Sequence, residues 1–233
     1  LWLPWLHVQA QQQDPALAID MLREALKHGD ELSDHEKIKA RYHLADALIR
    51  ESQRQMAIAG EEVERKYADY IFEAAELLVQ AKRFPDAGNK FKDAIDIRSN
   101  TVFNSLLMSV VQLTNSMAEV HEKEKQPYLN EMLRICNAMV QLKPDHYMGF
   151  DYRGQTHLAM GDTAKAHSDL MNGIRFYGTH PPEEPDAMAA YMHYRVALIE
   201  FYGNGDVGKA LALLKQGIDL NGKDRALAEK DET

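Results

Sequence analysis

Apolar positions return along this chain at helical spacing. Ala18, Leu22, Ala25 and Leu26 form one such set; Ile71, Ala75 and Leu78 form another, and Met132, Met139, Val140 and Leu142 a third. Steps of three and four residues bring side chains to one side of a helix. No alternating run of β-branched residues occurs, while Ala, Leu, Met, Glu, Lys and Gln, all good helix formers, dominate almost every segment. The pattern predicts an all-α protein.

The helical pattern itself recurs. Phe150-Asp-Tyr-Arg-Gly154-Gln-Thr-His157-Leu-Ala-Met-Gly161-Asp162 leads into Ala166, Leu170, Gly173, Ile174 and Phe176. Small residues such as Gly154 and Ala166 suit a place where two helices cross closely. Gly161 can take positive φ, and Asp162 can cap the second helix. A second copy runs through Ile71, Ala75, Leu78, Ala87, Phe91, Ala94, Ile95 and Ile97, with its turn at Lys82-Arg83-Phe84-Pro85. A third runs through Tyr194, Leu198, Phe201, Gly205, Asp206, Ala210, Leu214, Gly217, Ile218 and Leu220. Fainter copies include Ala45, Leu48 and Ala57, and an N-terminal half-match anchored by Trp2 and Trp5. The helix before Lys143-Pro144-Asp145 ends a further one.

These stretches resemble the tetratricopeptide repeat, a helical hairpin of roughly 34 residues. The resemblance covers nearly all of residues 1–222 and implies a right-handed α-solenoid of about six such hairpins, near 1–28, 34–66, 68–98, 101–143, 147–177 and 187–221. Between Ser99 and Lys123 the chain is about 11 residues too long, close to three helical turns, which predicts a lengthened first helix there. The three prolines of Gly178-Thr-His-Pro-Pro-Glu-Glu-Pro-Asp186 predict a projecting loop. Residues 223–233 are expected to form a charged tail or a short capping helix.

In such an array the first helices line a concave groove, and positions two, five, nine and twelve of each share a face. From Ile38 these positions hold Lys39, Tyr42, Asp46 and Ile49; in the next copy they hold Asp69, Phe72, Glu76 and Val79. Later copies give Met148, Asp151, Gln155 and Leu158, then Met192, Arg195, Ile199 and Tyr202. Aromatic, Met and charged residues in this mixture suit an amphipathic helix or extended peptide with apolar anchors and some basic character. The alternative is that they solvate the inner face, or that Phe72 and Tyr202 pack against a neighbouring repeat. Some members of the family hold a chaperone's C-terminal carboxylate in a clamp of Lys, Asn and Arg. None of these positions carries Asn, and Asp69 and Glu76 would repel a carboxylate.

Charge and composition narrow the function classes. Lys and Arg number 27 against 36 Asp and Glu, a net charge of −9 that opposes binding to phosphate backbones, so no nucleic-acid partner is expected. The longest strongly apolar run, Leu1 to Leu6, is too short to span a membrane. Cys136 is the single cysteine, which leaves no disulfide framework; its helical neighbours Ile135 and Met139 predict a packed, inert thiol.

Ten histidines form no His-Glu-x-x-His pattern, and His121-Glu-Lys-Glu-Lys125 reads as a solvated helix end. Met188 and Tyr191-Met-His-Tyr194 read as core, and His157 as a hydrogen-bonded interior histidine. Glu61-Glu62 and Glu183-Glu184 are adjacent and point apart on a helix. Gly203-Asn-Gly205-Asp-Val-Gly208 follows no strand, so its glycines belong to a hairpin turn rather than a dinucleotide loop. No catalytic residue, cofactor or metal site is expected.

The resemblance therefore implies a non-catalytic scaffold that holds a protein or peptide partner. An alternative is a self-associating assembly subunit, a homo-oligomer, using the Trp2-Trp5 end or the Pro181 loop; a metal-binding or enzymatic protein is a third. A start at Leu1 instead of Met is expected to reflect a missing upstream segment, so a soluble chain in the cytoplasm or outside it remains open.

Overall fold

The computed structural model describes residues 14–58, 64–84, 89–182 and 187–231. Among these residues every regular element is helical and none is a strand. The chain divides into two compact units, Leu1–Ser109 and Val110–Thr233.

The first unit contains α1 (Pro15–Lys27), α2 (Asp34–Ile58), α3 (Glu64–Lys82) and most of α4 (Asn89–Ala118). Local chemistry sets the starts of α1 and α2. Asp14 accepts from the Ala16 and Leu17 amides, with Pro15 in the first turn. Ser33 and Glu36 form a capping box: the Ser33 amide donates to Glu36 at 2.9 Å, and the Glu36 amide donates to the Ser33 hydroxyl at 3.4 Å. Successive helices pack, α1 on α2 and α2 on α3. Their seams are lined by Ile19, Leu22, Leu44, Leu48, Ala74 and Leu78, all buried.

Helices two apart are also neighbours. Arg23 of α1 donates through two nitrogens to Glu73 of α3. In the same way α2 meets α4: the Phe91 ring lies edge-on to His35 at 5.6 Å and to Tyr42 at 6.1 Å, and Arg98 reaches Asp46 at 2.6 Å. The unit therefore has two layers, α1 with α3 and α2 with α4.

Two hairpin boundaries expected from sequence are corrected here. A turn inside 34–66 does not occur up to Ile58, because α2 is one uninterrupted helix of 25 residues. The junction between 68–98 and 101–143 is likewise absent, since α4 runs for 30 residues through Arg98, Ser99 and Thr101. Neither stretch contains Gly or Pro, so nothing in either one releases the backbone from helical hydrogen bonding. Along α4 the hydroxyls of Thr101, Ser105, Ser109 and Thr114 each donate to the carbonyl four residues back.

The second unit holds α5 (Gln126–Leu142), α6 (Tyr147–Ala159), α7 (Thr163–Thr179), α8 (Met188–Ile199) and α9 (Val207–Asp231), preceded by the end of α4. Successive helices among these five pack together, in four pairs. The α6–α7 turn places Gly161 at φ 80°, and Asp162 then accepts from the Lys165 amide at 3.2 Å. The α8–α9 turn repeats this: Gly205 has φ 67°, and Asp206 accepts from the Lys209 amide at 2.9 Å. A π-helical turn, Glu200–Asn204, ends α8.

Close crossings depend on missing side chains. A Cβ on Gly154 would lie 2.8 Å from the Leu170 side chain, and one on Gly173 would lie 2.5 Å from the Met192 sulfur. Around these points Tyr147, Ala166, Leu170, Met192, Val196 and Leu213 form one apolar core. The expected break after Gly222 does not occur, and residues 223–231 lengthen α9 instead of forming a separate cap. The Trp2-Trp5 anchors lie outside the described residues. Of the Pro-rich loop, Gly178 and Thr179 close α7, while His180 to Pro182 are non-helical.

Candidate functional site

The groove residues expected from sequence fall into three sets. Lys39, Tyr42 and Asp46 lie on α2 and turn toward α4. The Lys39 ammonium stands 5.8 Å from the Phe91 ring centroid, and Tyr42 packs against the same ring. Asp46 is ion-paired with Arg50 at 2.9 Å and with Arg98 at 2.6 Å, so its charge is balanced within the unit. Ile49 is buried.

Asp69, Phe72 and Glu76 lie on α3, in the other layer. Phe72 is buried, whereas Asp69 and Glu76 are exposed. The α2 and α3 sets therefore cannot line one surface. The reason is the merged helix: with no turn inside α2, α2 and α3 become the two partners of a pair rather than equivalent first helices.

The second unit gathers its set differently. Arg195 of α8 donates to Asp151 of α6 at 3.0 Å, and Gln155 donates to the other oxygen of Asp151 at 2.8 Å. Asp151 is almost wholly buried, while Arg195 keeps a partly exposed guanidinium 5.9 Å from the Tyr191 ring. This contact makes α6 and α8 neighbours in one layer. Met148 is partly buried against the core, whereas Met192 is fully buried inside it and does not face an open groove. Ile199 is buried as well. On α8 the helical period turns 192, 196 and 199 inward, and Tyr191 and Leu198 outward; Tyr202 follows in the π turn. Tyr202 is 80% exposed, with its ring edge-on to Phe201.

Two further polar constellations were not legible in the chain. Arg153 donates to both oxygens of buried Asp169, at 2.8 and 2.7 Å, and to Asn137 at 3.1 Å, joining α5, α6 and α7. His157 sits in the interior 3.8 Å from the same carboxylate. Glu200, in the π turn, accepts from Asn204 at 2.7 Å and from Lys209, and lies 2.7 Å from the His167 ring. Hydrogen bonds from Asn204 and Lys209, with a smaller one from His167, hold its carboxyl down to about 2. Both sets are buried ties between helices, and the i to i+4 spacing of Glu200 and Asn204 was their one visible sign.

Cys136 is fully buried on α5, and desolvation pushes its thiol up to about 12. Among the described residues no three His, Cys, Asp or Glu side chains converge as a metal site. No helix there is long and apolar enough to cross a membrane. Neither a family model nor a curated protein matches the chain.

Proposed function

We propose that this protein is a tetratricopeptide-like array, a right-handed α-solenoid, that works as a non-catalytic scaffold holding a peptide or helix of a partner protein. The observation that carries the reading is the repetition of one hairpin in α6–α7 and α8–α9. Each has a left-handed Gly and a capping Asp at its turn. Each also has a glycine, Gly173 or Gly217, where its second helix meets a bulky neighbour. The Arg195–Asp151 bond then sets the first helices of the two hairpins side by side, the arrangement from which a repeat array builds a continuous surface.

That surface offers Gln155, the Arg195 head, Tyr191 and Tyr202. Because Asp151 neutralises Arg195, aromatic and polar contacts dominate there, which suits a ligand with apolar anchors. The net charge of −9 favours basic residues beside those anchors.

Panning a displayed peptide library on the chain tests this. Enriched peptides should combine apolar anchors with basic residues, and Tyr202→Ala should weaken them about tenfold. No enrichment, or binding indifferent to both Tyr202→Ala and Gln155→Ala, would reject the surface.

A further inference from the structure

The α8–α9 hairpin ends on an apolar face that no described residue covers. In α7, Leu170 is fully buried and Ile174 packs against the core that α8 completes. Their counterparts on α9, Leu214 and Ile218, are 36% and 61% exposed among the described residues. Val207 and Leu211 extend the same row at 51% and 61%. Leu198 and Phe201 add exposed apolar surface at the turn end of the hairpin. Since α9 continues as helix to Asp231, residues 222–231 run on along its axis and leave the row open.

The spacing of that row is informative. Val207, Leu211, Leu214 and Ile218 are separated by four, three and four positions, an order that reads the same in both directions. Laid antiparallel on a second α9, the row sets Val207 against Ile218 and Leu211 against Leu214, each pairing made twice. This is the self-complementarity of a two-fold interface. Gly208 and Ala212 border the row and let the two backbones approach. The six exposed side chains supply on the order of 500 Å² of apolar surface in each copy, small against the ~800 Å² per partner of a standard interface, as suits a concentration-dependent dimer.

We infer that this face joins two copies of the chain as a homodimer, α9 against α9 in antiparallel register. The dimer is independent of the peptide-holding surface, and either can fail without the other. The net charge of −9 on each copy repels the other, so added salt strengthens the association.

Sedimentation velocity of the 233-residue chain over about 1–100 μM tests it and should show a concentration-dependent dimer. Leu211→Glu and Leu214→Lys should each weaken the dimer at least about 100-fold, since each leaves charges facing leucine across the seam. Both sites are exposed in the single chain, so helicity should be unchanged. An equimolar mixture of the two variants should dimerise again: the introduced carboxylate meets the introduced ammonium on one side, and unaltered leucines meet on the other. A monomer at every concentration, a dimer indifferent to both substitutions, or variants that stay apart when mixed would overturn the interface.

Discussion

Arg195 on α8 and Asp151 on α6 meet at 3.0 Å across a gap that the whole of α7 fills in the sequence. The carboxylate is buried and the guanidinium partly so. One hydrogen-bonded ion pair thus fixes the lateral spacing of two hairpins, and its removal tests how much the layer depends on it.

Arg195→Met strips a buried carboxylate of its cation and should cost about 3 kcal/mol. Asp151→Met combined with Arg195→Met should recover much of that loss, because a paired apolar replacement leaves no charge stranded. Urea unfolding of the two single variants and the double variant, read as a cycle, should give a coupling above about 1 kcal/mol.

Phe72 and Tyr202, both groove candidates from sequence, should separate cleanly. Phe72→Ala opens a cavity in the first unit and should cost about 3 kcal/mol. Tyr202→Ala, at a position 80% exposed, should stay within about 0.5 kcal/mol. Thermal unfolding of both variants checks this.

Glycine-to-alanine changes in the second unit should have opposite signs. At Gly154 the new methyl would press on Leu170 and on the Ala166 carbonyl, costing about 1–3 kcal/mol. At Gly178, near the end of α7, nothing lies within 4 Å of the new methyl, and better helix propensity should gain ~0.5 kcal/mol. Denaturant midpoints of the two variants decide it.

Glu200 should make stability fall in acid. Its folded value near 2 lies below the ordinary 4.5, so the fold favours the carboxylate. That contribution is complete above about pH 5 and is lost as pH falls from there toward 2. Glu200→Gln should flatten the urea midpoint against pH in that window relative to the parent chain. Identical slopes would mean that the carboxylate is not held as described.

The sequence revealed helices wherever period and punctuation agreed. Gly161-Asp162 and Gly205-Asp206 mark turns that the chain does make, because a positive-φ residue followed by a capping carboxylate is a strong local instruction. Between Asp34 and Ile58, and again between Asn89 and Ala118, the repeat frame rested on apolar spacing alone. Such spacing fits one long helix as well as two short ones. The missing Gly and Pro were the available signal. That error moved the α2 and α3 candidates into different layers. Met192 and Ile199 were misread for another reason: helical period identifies which residues share a side, but only the neighbouring helix decides which side is covered. Pairs such as Arg153 with Asp169, on different helices, leave no trace in local spacing.

On α9, Leu214 and Ile218 are exposed where their α7 counterparts are covered, Leu170 fully buried and Ile174 packed against the core. Amide protons of α9 should therefore exchange with deuterium fastest among the last four helices, those of α8 next, and those around Leu170 slowest. In that order the second unit would come apart from its open end inward, one hairpin at a time, like a zip.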